Sequence, residues 1–270
     1  MKYLLLLLSA IHFLNLMGQP NCNTFEGDCK KACEIATKPA GGQGSRSSQI
    51  KFDRALELCP DGLAYAYMQK AVPYLKRGDF ITWKQLIDRA VAIDPLGQLG
   101  YRGWCRFQFL RDYQAAIDDL QQLEKLMPGN IGYSQNGDYH LKTAMALCYK
   151  QLGILDSAIL ILENHTSAKS YEPWAYEFLH LGVIYLEANK VDQAILALKK
   201  QLDANDYLAE TYYYLALAYQ QKQSDLLYKE NMLRAKDFYN DGKMLFDVYT
   251  TMVDAIDLTQ IESHTNSWTN

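Results

Sequence analysis

The chain is poor in the groups that carry out chemistry. Its 270 residues include only five histidines, and these are scattered. No His-Glu-x-x-His zinc pair, glycine-rich phosphate loop or nucleophile elbow is present, which excludes the enzyme classes those motifs define. No serine or carboxylate stands beside a histidine partner in a recognisable order. An excess of positive charge is missing as well. Lys and Arg number 27 against 31 Asp and Glu, a formal charge of −4. A dedicated nucleic-acid binder needs clustered cations to neutralise phosphates, so none is expected here. Beyond the N-terminal apolar run no stretch approaches the roughly 20 residues of a membrane span, and no integral membrane segment is expected after that run is removed. What is plentiful is apolar surface: 49% of residues are hydrophobic and 12% aromatic, enough to build and cover a core.

The N-terminus reads as an address. Lys2 is a short positive region, Tyr3 to Met17 are almost all apolar with leucine at every position from Leu4 to Leu8, and Gly18 and Gln19 give a small, polar exit. That is the pattern of a secretory signal peptide over residues 1–19. The chain is therefore expected to be exported, either periplasmic or secreted. Cleavage removes Lys2 and makes the protein more acidic by one charge. The six cysteines, at 22, 29, 33, 59, 105 and 148, all follow the signal. Export makes disulfides an expectation, and six cysteines allow fifteen full pairings. Cys29 and Cys33 share a helix face, but no histidine or further cysteine completes a zinc site, so neither metal nor cofactor is expected.

A repeat organises the rest. In Leu179–Leu198, Gly182 is followed by Tyr185, then by Ala194 and Leu198. The pattern resembles the tetratricopeptide repeat, a helix–turn–helix unit of 34 residues. In that family the residues at positions 8, 20 and 27 are small, so that two helices approach closely, and a proline often ends the second helix. From Ala64 the template places Tyr67, Ala71, Tyr74, Ala90 and Pro95 correctly, with Gly78 and Asp79 at the turn. From Tyr139 it places Ala146, Tyr149, Gly153, Ala158 and Leu162, and from Ala209 it places Tyr212, Leu215, Ala216, Tyr219 and Ala235. Weaker copies start near Cys29, with Ala36, Ser48, Ala55 and Pro60, and near Gly97, with Ala116, Leu120 and Pro128. With the copy at 175 the starts are 29, 64, 97, 139, 175 and 209. The resemblance implies an all-α, tetratricopeptide-type solenoid of about six helix-turn-helix repeats over residues 29–240. Residues 20–28 form a short N-terminal segment and 241–270 a C-terminal cap and tail.

Departures from the template carry information. Trp104 falls on a small position with Gly103 beside it, which implies a one-residue register slip or a splayed pair. Pro73 lies inside a first helix and is expected to kink it. His165 takes a small position, so its pair is expected to pack less closely. Gly129, Gly132, Asn136 and Gly137 mark a turn-rich insertion before the fourth copy. Asn164-His165-Thr166 is a glycosylation sequon, meaningful only in a eukaryotic secretory route.

The resemblance also implies where a partner would sit. The first helix of each repeat lines a concave face. In the second copy that face presents Tyr65, Met68 and Val72, and in the third Tyr101 and Phe109, with Trp104 if the register slips. The fifth presents Tyr176, Leu179 and Val183, and the sixth Tyr213 and Leu217. The lining is apolar and rich in tyrosine. Family members that clamp a C-terminal carboxylate carry Lys, Asn and Arg at these places; here Lys30 and Lys150 are isolated, so no such clamp is expected. The function implied is a non-catalytic scaffold outside the cytoplasm that binds a protein or peptide. A glycan-binding module using the groove aromatics, or an extracellular enzyme with a dispersed site, is the alternative. An antiparallel pair brings the end of its second helix beside the start of its first, so Cys59 is expected to bond Cys29 or Cys33, with Cys105 and Cys148 as buried thiols. A solenoid also needs a terminal cap. The apolar residues of the tail predict that Met244 to Tyr249 pack on the sixth repeat. Residues 251–262 should continue the cap or turn into the groove, and 264–270 should be disordered.

Overall fold

Small residues at fixed intervals become close helix contacts. The computed structural model describes residues 19–169, 171–173 and 175–268. The expected signal peptide lies outside the described residues save Gln19. No helix among those described is long and apolar enough to cross a membrane.

Among the described residues there are thirteen α-helices, and twelve of them form consecutive antiparallel pairs. These are α1 (Gly27–Thr37) with α2 (Arg46–Leu58), α3 (Ala64–Lys76) with α4 (Phe80–Ile93), and α5 (Pro95–Cys105) with α6 (Tyr113–Leu126). Next come α7 (Leu141–Gln151) with α8 (Leu155–Thr166), α9 (Glu177–Glu187) with α10 (Val191–Ala204), and α11 (Ala209–Gln221) with α12 (Asp225–Asn240). A last helix, α13 (Leu258–Thr265), follows the sixth pair. The only β-type pairing among the described residues is a bridge between Tyr133 and His140 in the insertion. The chain divides into two compact units: Met1–Arg102 with Gln122–Gly129, and Gly103–Gln121 with Asn130–Asn270.

The predicted small positions lie at helix–helix contacts. Ala36, Ala55, Ala71, Ala90, Ala116, Ala146, Ala158, Ala194, Ala216 and Ala235 have no exposed surface. At Gly182 a Cβ would stand 2.5 Å from Cγ of the buried Leu198. Gly182→Ala is therefore expected to destabilise by about 1–3 kcal/mol through overpacking, seen as a lowered urea midpoint. An unchanged midpoint would contradict the close approach.

Each turn between the helices of a pair, from the second pair on, uses one left-handed residue: Gly78, Arg111, Gly153, Asn189 and Gln223. It follows the small residue of the first helix by seven positions at Ala71, Ala146, Gly182 and Ala216. In the third pair the interval is eight, because Gly103 takes the small position: its Cβ would meet Leu120 Cγ at 3.0 Å and Asp119 Cβ at 3.2 Å. The extra residue is absorbed by a π-helical turn, Arg106–Leu110, that continues α5. The register slip is real, and Trp104 is buried beside the contact rather than in it.

In the first unit the core of α1–α3 is mostly small: Ala32, Ala36, Ala55 and Ala66 around Phe52 and Leu63. Two disulfides tie it, Cys29–Cys59 and Cys22–Cys33. The first is one of the two expected bonds, and Cys33 takes Cys22 instead of Cys59. Gly62 is needed beside the bridge, since a Cβ there would lie 2.6 Å from Cys59 Sγ. Cys105 and Cys148 are buried thiols outside the two disulfides. The α3 helix runs through Pro73 to Lys76.

In the second unit His165 fills its position by stacking on His140, with ring centroids 4.1 Å apart. Burial, helped by the other charged groups nearby, lowers the pKa of His140 to about 3 and of His165 to about 4. Both are neutral in the folded protein and titrate normally when unfolded. Depressed basic groups leave stability intact above about pH 6.5 and remove it as pH falls towards the folded values. His140, which is almost wholly buried, is expected to cost about 2–3 kcal/mol on going from pH 7 to 4.5, and His140→Gln should flatten that slope in urea titrations.

Candidate functional site

The first helices α7, α9 and α11 of the second unit lie side by side. Five of the eleven groove residues expected from the sequence belong to this set of helices. Leu179, Val183 and Tyr213 are buried there, while Tyr176 and Leu217 are half-buried. Trp104 is buried against Phe107 and Tyr139, at centroid distances of 5.6 and 5.4 Å. Phe109 is half-buried on the π-helical turn. This face is covered by the chain's own tail.

The tail follows a closed course. The backbone N–H of Leu245 donates to both oxygens of Glu210, at 3.1 Å each. The chain then reaches α5's π-helical turn, where Arg111 Nη2 donates to Thr250 Oγ1 at 3.0 Å and to the Thr251 carbonyl. Thr250 Oγ1 donates in turn to the Gln108 carbonyl. Returning, Asp254 accepts from Lys150 Nζ, from His180 Nδ1 at 2.7 Å, and through its carbonyl from Tyr214 Oη at 3.2 Å. At Ile256 the N–H comes back to the same Glu210 carboxylate, at 3.5 Å. Residues 245–256 are thus an Ω-loop whose two ends meet on one side chain. Met252, Val253 and Ile256 on the returning arm are buried, whereas Phe246, Val248 and Tyr249 on the outgoing arm are 69%, 71% and 59% exposed.

This corrects two expectations. Met244 and Leu245 pack at the sixth pair, but Phe246, Val248 and Tyr249 do not, because the outgoing arm turns them to solvent. The stretch after His264 is ordered as far as Trp268. A capping box at Asp257 and Gln260 starts α13, Tyr228 Oη meets His264 Nδ1 at 2.9 Å, and Trp268 packs edge-on to Tyr228 at 5.4 Å. The aromatic contact supplies anchorage that a polar-looking end conceals. Residues 269 and 270 lie outside the described residues.

The ionic centre of the loop is deeply buried. The side chains of Lys150 and Asp254 are 5% and 3% exposed, and Glu187 adds a second carboxylate to Lys150 at 2.9 Å. Burial opposes both charges. For Asp254 it is outweighed by the His180 hydrogen bond and the Lys150 charge, which hold the carboxyl below its usual range. For Lys150 burial is outweighed by Asp254 and Glu187, which raise its pKa. An ionised Asp254 only accepts, so His180 Nδ1 carries the proton between them. Burial also pushes Glu210 up to about 7, despite the N–H groups it accepts. Asp254 itself sits at φ +65°, a left-handed conformation that Asp tolerates better than most residues. Of these groups the sequence marks only Lys150, as isolated. Arg111, His180, Glu210 and Asp254 were not legible as a set. A carboxylate on an otherwise apolar groove face, Glu210, is the signal that could have been read.

The first unit holds a different feature. Tyr65 and Met68 of α3 line a cavity of about 440 Å³. Phe25, Leu63 and Ile93 add apolar wall, and Asp94 and Gln98 add polar atoms. Val72 is half-buried on the same helix, and Tyr101 is buried in α5.

Solved structures share this architecture. PilW, described as a widely conserved type IV pilus biogenesis factor, superposes with a TM-score of 0.61 at 14% identity, over 80% of this chain and 96% of that one. PilF of Pseudomonas aeruginosa gives 0.58 at 13% identity, over 79% and 92%. YrrB, described as a TPR protein with an unusual peptide-binding site, gives 0.54 at 16% identity, over 70% and 93%. No protein-family profile and no curated protein matches the chain. The fold is all-α and of the tetratricopeptide-repeat type.

Proposed function

We propose that this chain is a non-catalytic protein–protein interaction scaffold that works outside the cytoplasm and holds a protein or peptide segment on the first-helix face of its repeats. The observation that carries the reading is the cavity at Tyr65 and Met68. There the face of α3 is not filled by side chains of the described residues, and it has the volume for one large side chain of a partner. Export is supported by two disulfides within the first sixty residues, since such bonds persist in oxidising compartments. A non-catalytic role is supported by the fate of four buried ionisable groups that meet in this groove: Lys150, His180, Glu210 and Asp254 are spent on holding the Ω-loop.

A photo-crosslinking residue in place of Tyr65 tests this. A discrete protein adduct from the extracellular fraction is expected, weakened about tenfold or more by Met68→Asp and unaffected by Ile81→Asp at an exposed site on α4. Adducts that ignore Met68→Asp would remove the cavity from the reading. Retention on polysaccharide with no protein adduct would replace it with glycan binding.

A further inference from the structure

The Ω-loop is held as a ligand is held. Its returning arm puts three aliphatic side chains, Met252, Val253 and Ile256, into the groove, and its remaining anchors are polar and come from four different helix pairs. Arg111 takes a carbonyl three residues before the carboxylate, Lys150 and His180 take the carboxylate, and Glu210 takes an N–H two residues after it. Both ends of the loop are fixed independently. The outgoing end leaves α12 through Lys243, whose carbonyl accepts from the Ala209 N–H, and the returning end is secured by α13 on Tyr228. The loop can therefore lift away without unthreading the repeats.

We propose that residues 250–256 are an internal stand-in for a partner segment, and that the groove of the second unit takes in their place a peptide that bears one aspartate at a tight turn between apolar side chains, as Met252 to Ala255 do here. The proposal rests on the scaffold reading above and names the partner chemistry of a second surface. Charge complementarity supplies the argument. With the loop away, Lys150 keeps only the half-exposed Glu187 and His180 loses its acceptor, so the vacated groove calls for a carboxylate at one defined point. Aspartate is favoured over glutamate, because the residue there adopts a left-handed backbone and its short side chain reaches both Nζ and Nδ1. A tethered segment acts at an effective concentration in the millimolar range, so the loop excludes free peptide until its own contacts are weakened or a partner adds others.

The test uses the full chain and a fluorescent peptide of residues 249–257. The natural chain is expected to bind it weakly. The Asp254→Ala chain should bind at least tenfold more tightly, and adding Lys150→Ala should return binding to the starting level. A peptide with alanine at the position of Asp254 should bind tenfold or more weakly, and one with glutamate in between. As a route that leaves the ionic centre intact, a protease site replacing Phe246–Tyr249 can be cut after folding; the cut chain should then bind the peptide and release its own arm. A cut chain that keeps its helical signal but takes up no peptide, or takes the alanine peptide equally well, overturns the proposal and leaves the loop as a cap. The Tyr65 adduct is read in the other unit, so it decides the scaffold reading separately.

Discussion

Asp254→Ala is expected to lower the stability of the second unit by about 3–5 kcal/mol at pH 7, the usual result of removing one member of a buried ion pair. The size follows from what remains. Lys150 is almost wholly buried and would keep one half-exposed carboxylate, and His180 Nδ1 would face no acceptor. Alanine tolerates the left-handed backbone at φ +65° less well than aspartate, so the substitution regains nothing there. Part of the loss should appear locally, as protease cleavage within residues 245–256 before global unfolding in urea, because the loop is the element those charges hold. A double variant, Lys150→Met with Asp254→Ala, should recover part of the loss, since no uncompensated charge is then buried. The pH profile has a definite sign. A depressed carboxyl contributes stability above its unfolded pKa and loses it as pH falls through the folded value; a raised lysine contributes below its unfolded value and loses it as pH climbs through the folded one. The centre therefore holds fully from about pH 4 to 10; between pH 7 and 4.5 the histidine pair removes stability, while Glu210, raised to about 7, takes up its proton first in the folded protein and offsets part of that loss. A stability change under 1 kcal/mol, with no new cleavage, would show that the loop is held by its aliphatic side chains alone.

The repeat was legible because its requirement is steric and local. Two helices that touch at Ala146 and Ala158, or at Gly182 and Ala194, leave no room for a larger residue at those intervals, and the pattern survives in the sequence. The left-handed turn residue was half-legible: Gly78 and Gly153 announce it, while Arg111, Asn189 and Gln223 adopt the same conformation without glycine's signature. The third pair carried both Gly103 and Trp104 as evidence of a slip, but the π-helical turn that resolves it has no motif. The tail was legible as apolar matter needing cover and not as a course. Hydrophobic content demands burial without naming a destination; that is set by Arg111, Lys150, His180 and Glu210, which stand in separate repeats and acquire meaning only when folding brings them to one loop. The same limit explains why Phe246 and Tyr249, apolar like Met252, end up on the opposite side of the loop. The cavity at Tyr65 and Met68 was legible as a face and not as a void.

Reduction of both disulfides is expected to melt the first helix pair ahead of the rest of the protein. The α1 helix has 11 residues, too short to persist alone in water, and its core is made largely of alanines that bury little area. Between α1 and α2 the chain passes Gly41, Gly42 and Gly44, which add flexibility to the unfolded state. Cys22–Cys33 closes a separation of 11 residues and Cys29–Cys59 one of 30. Chain-entropy estimates for such loops are about 3 and about 3.5 kcal/mol. The two loops overlap between residues 29 and 33, so the sum of about 6.5 kcal/mol is a ceiling and a loss of about 3–5 is expected. That exceeds what a single weak helix pair can spare from packing. The thiols of Cys105 and Cys148 offer no ready exchange route: both are buried, and burial raises the Cys148 pKa, which suppresses the thiolate that would attack a disulfide. Cys29→Ser with Cys33→Ser should reproduce the reduced state without reductant. Circular dichroism should then show an early transition limited to the helicity of α1 and α2, and the second unit should unfold at its former midpoint. A reduced protein that melts in one step at the original temperature would mean that the alanine contacts of α1, and not the bridges, hold the pair.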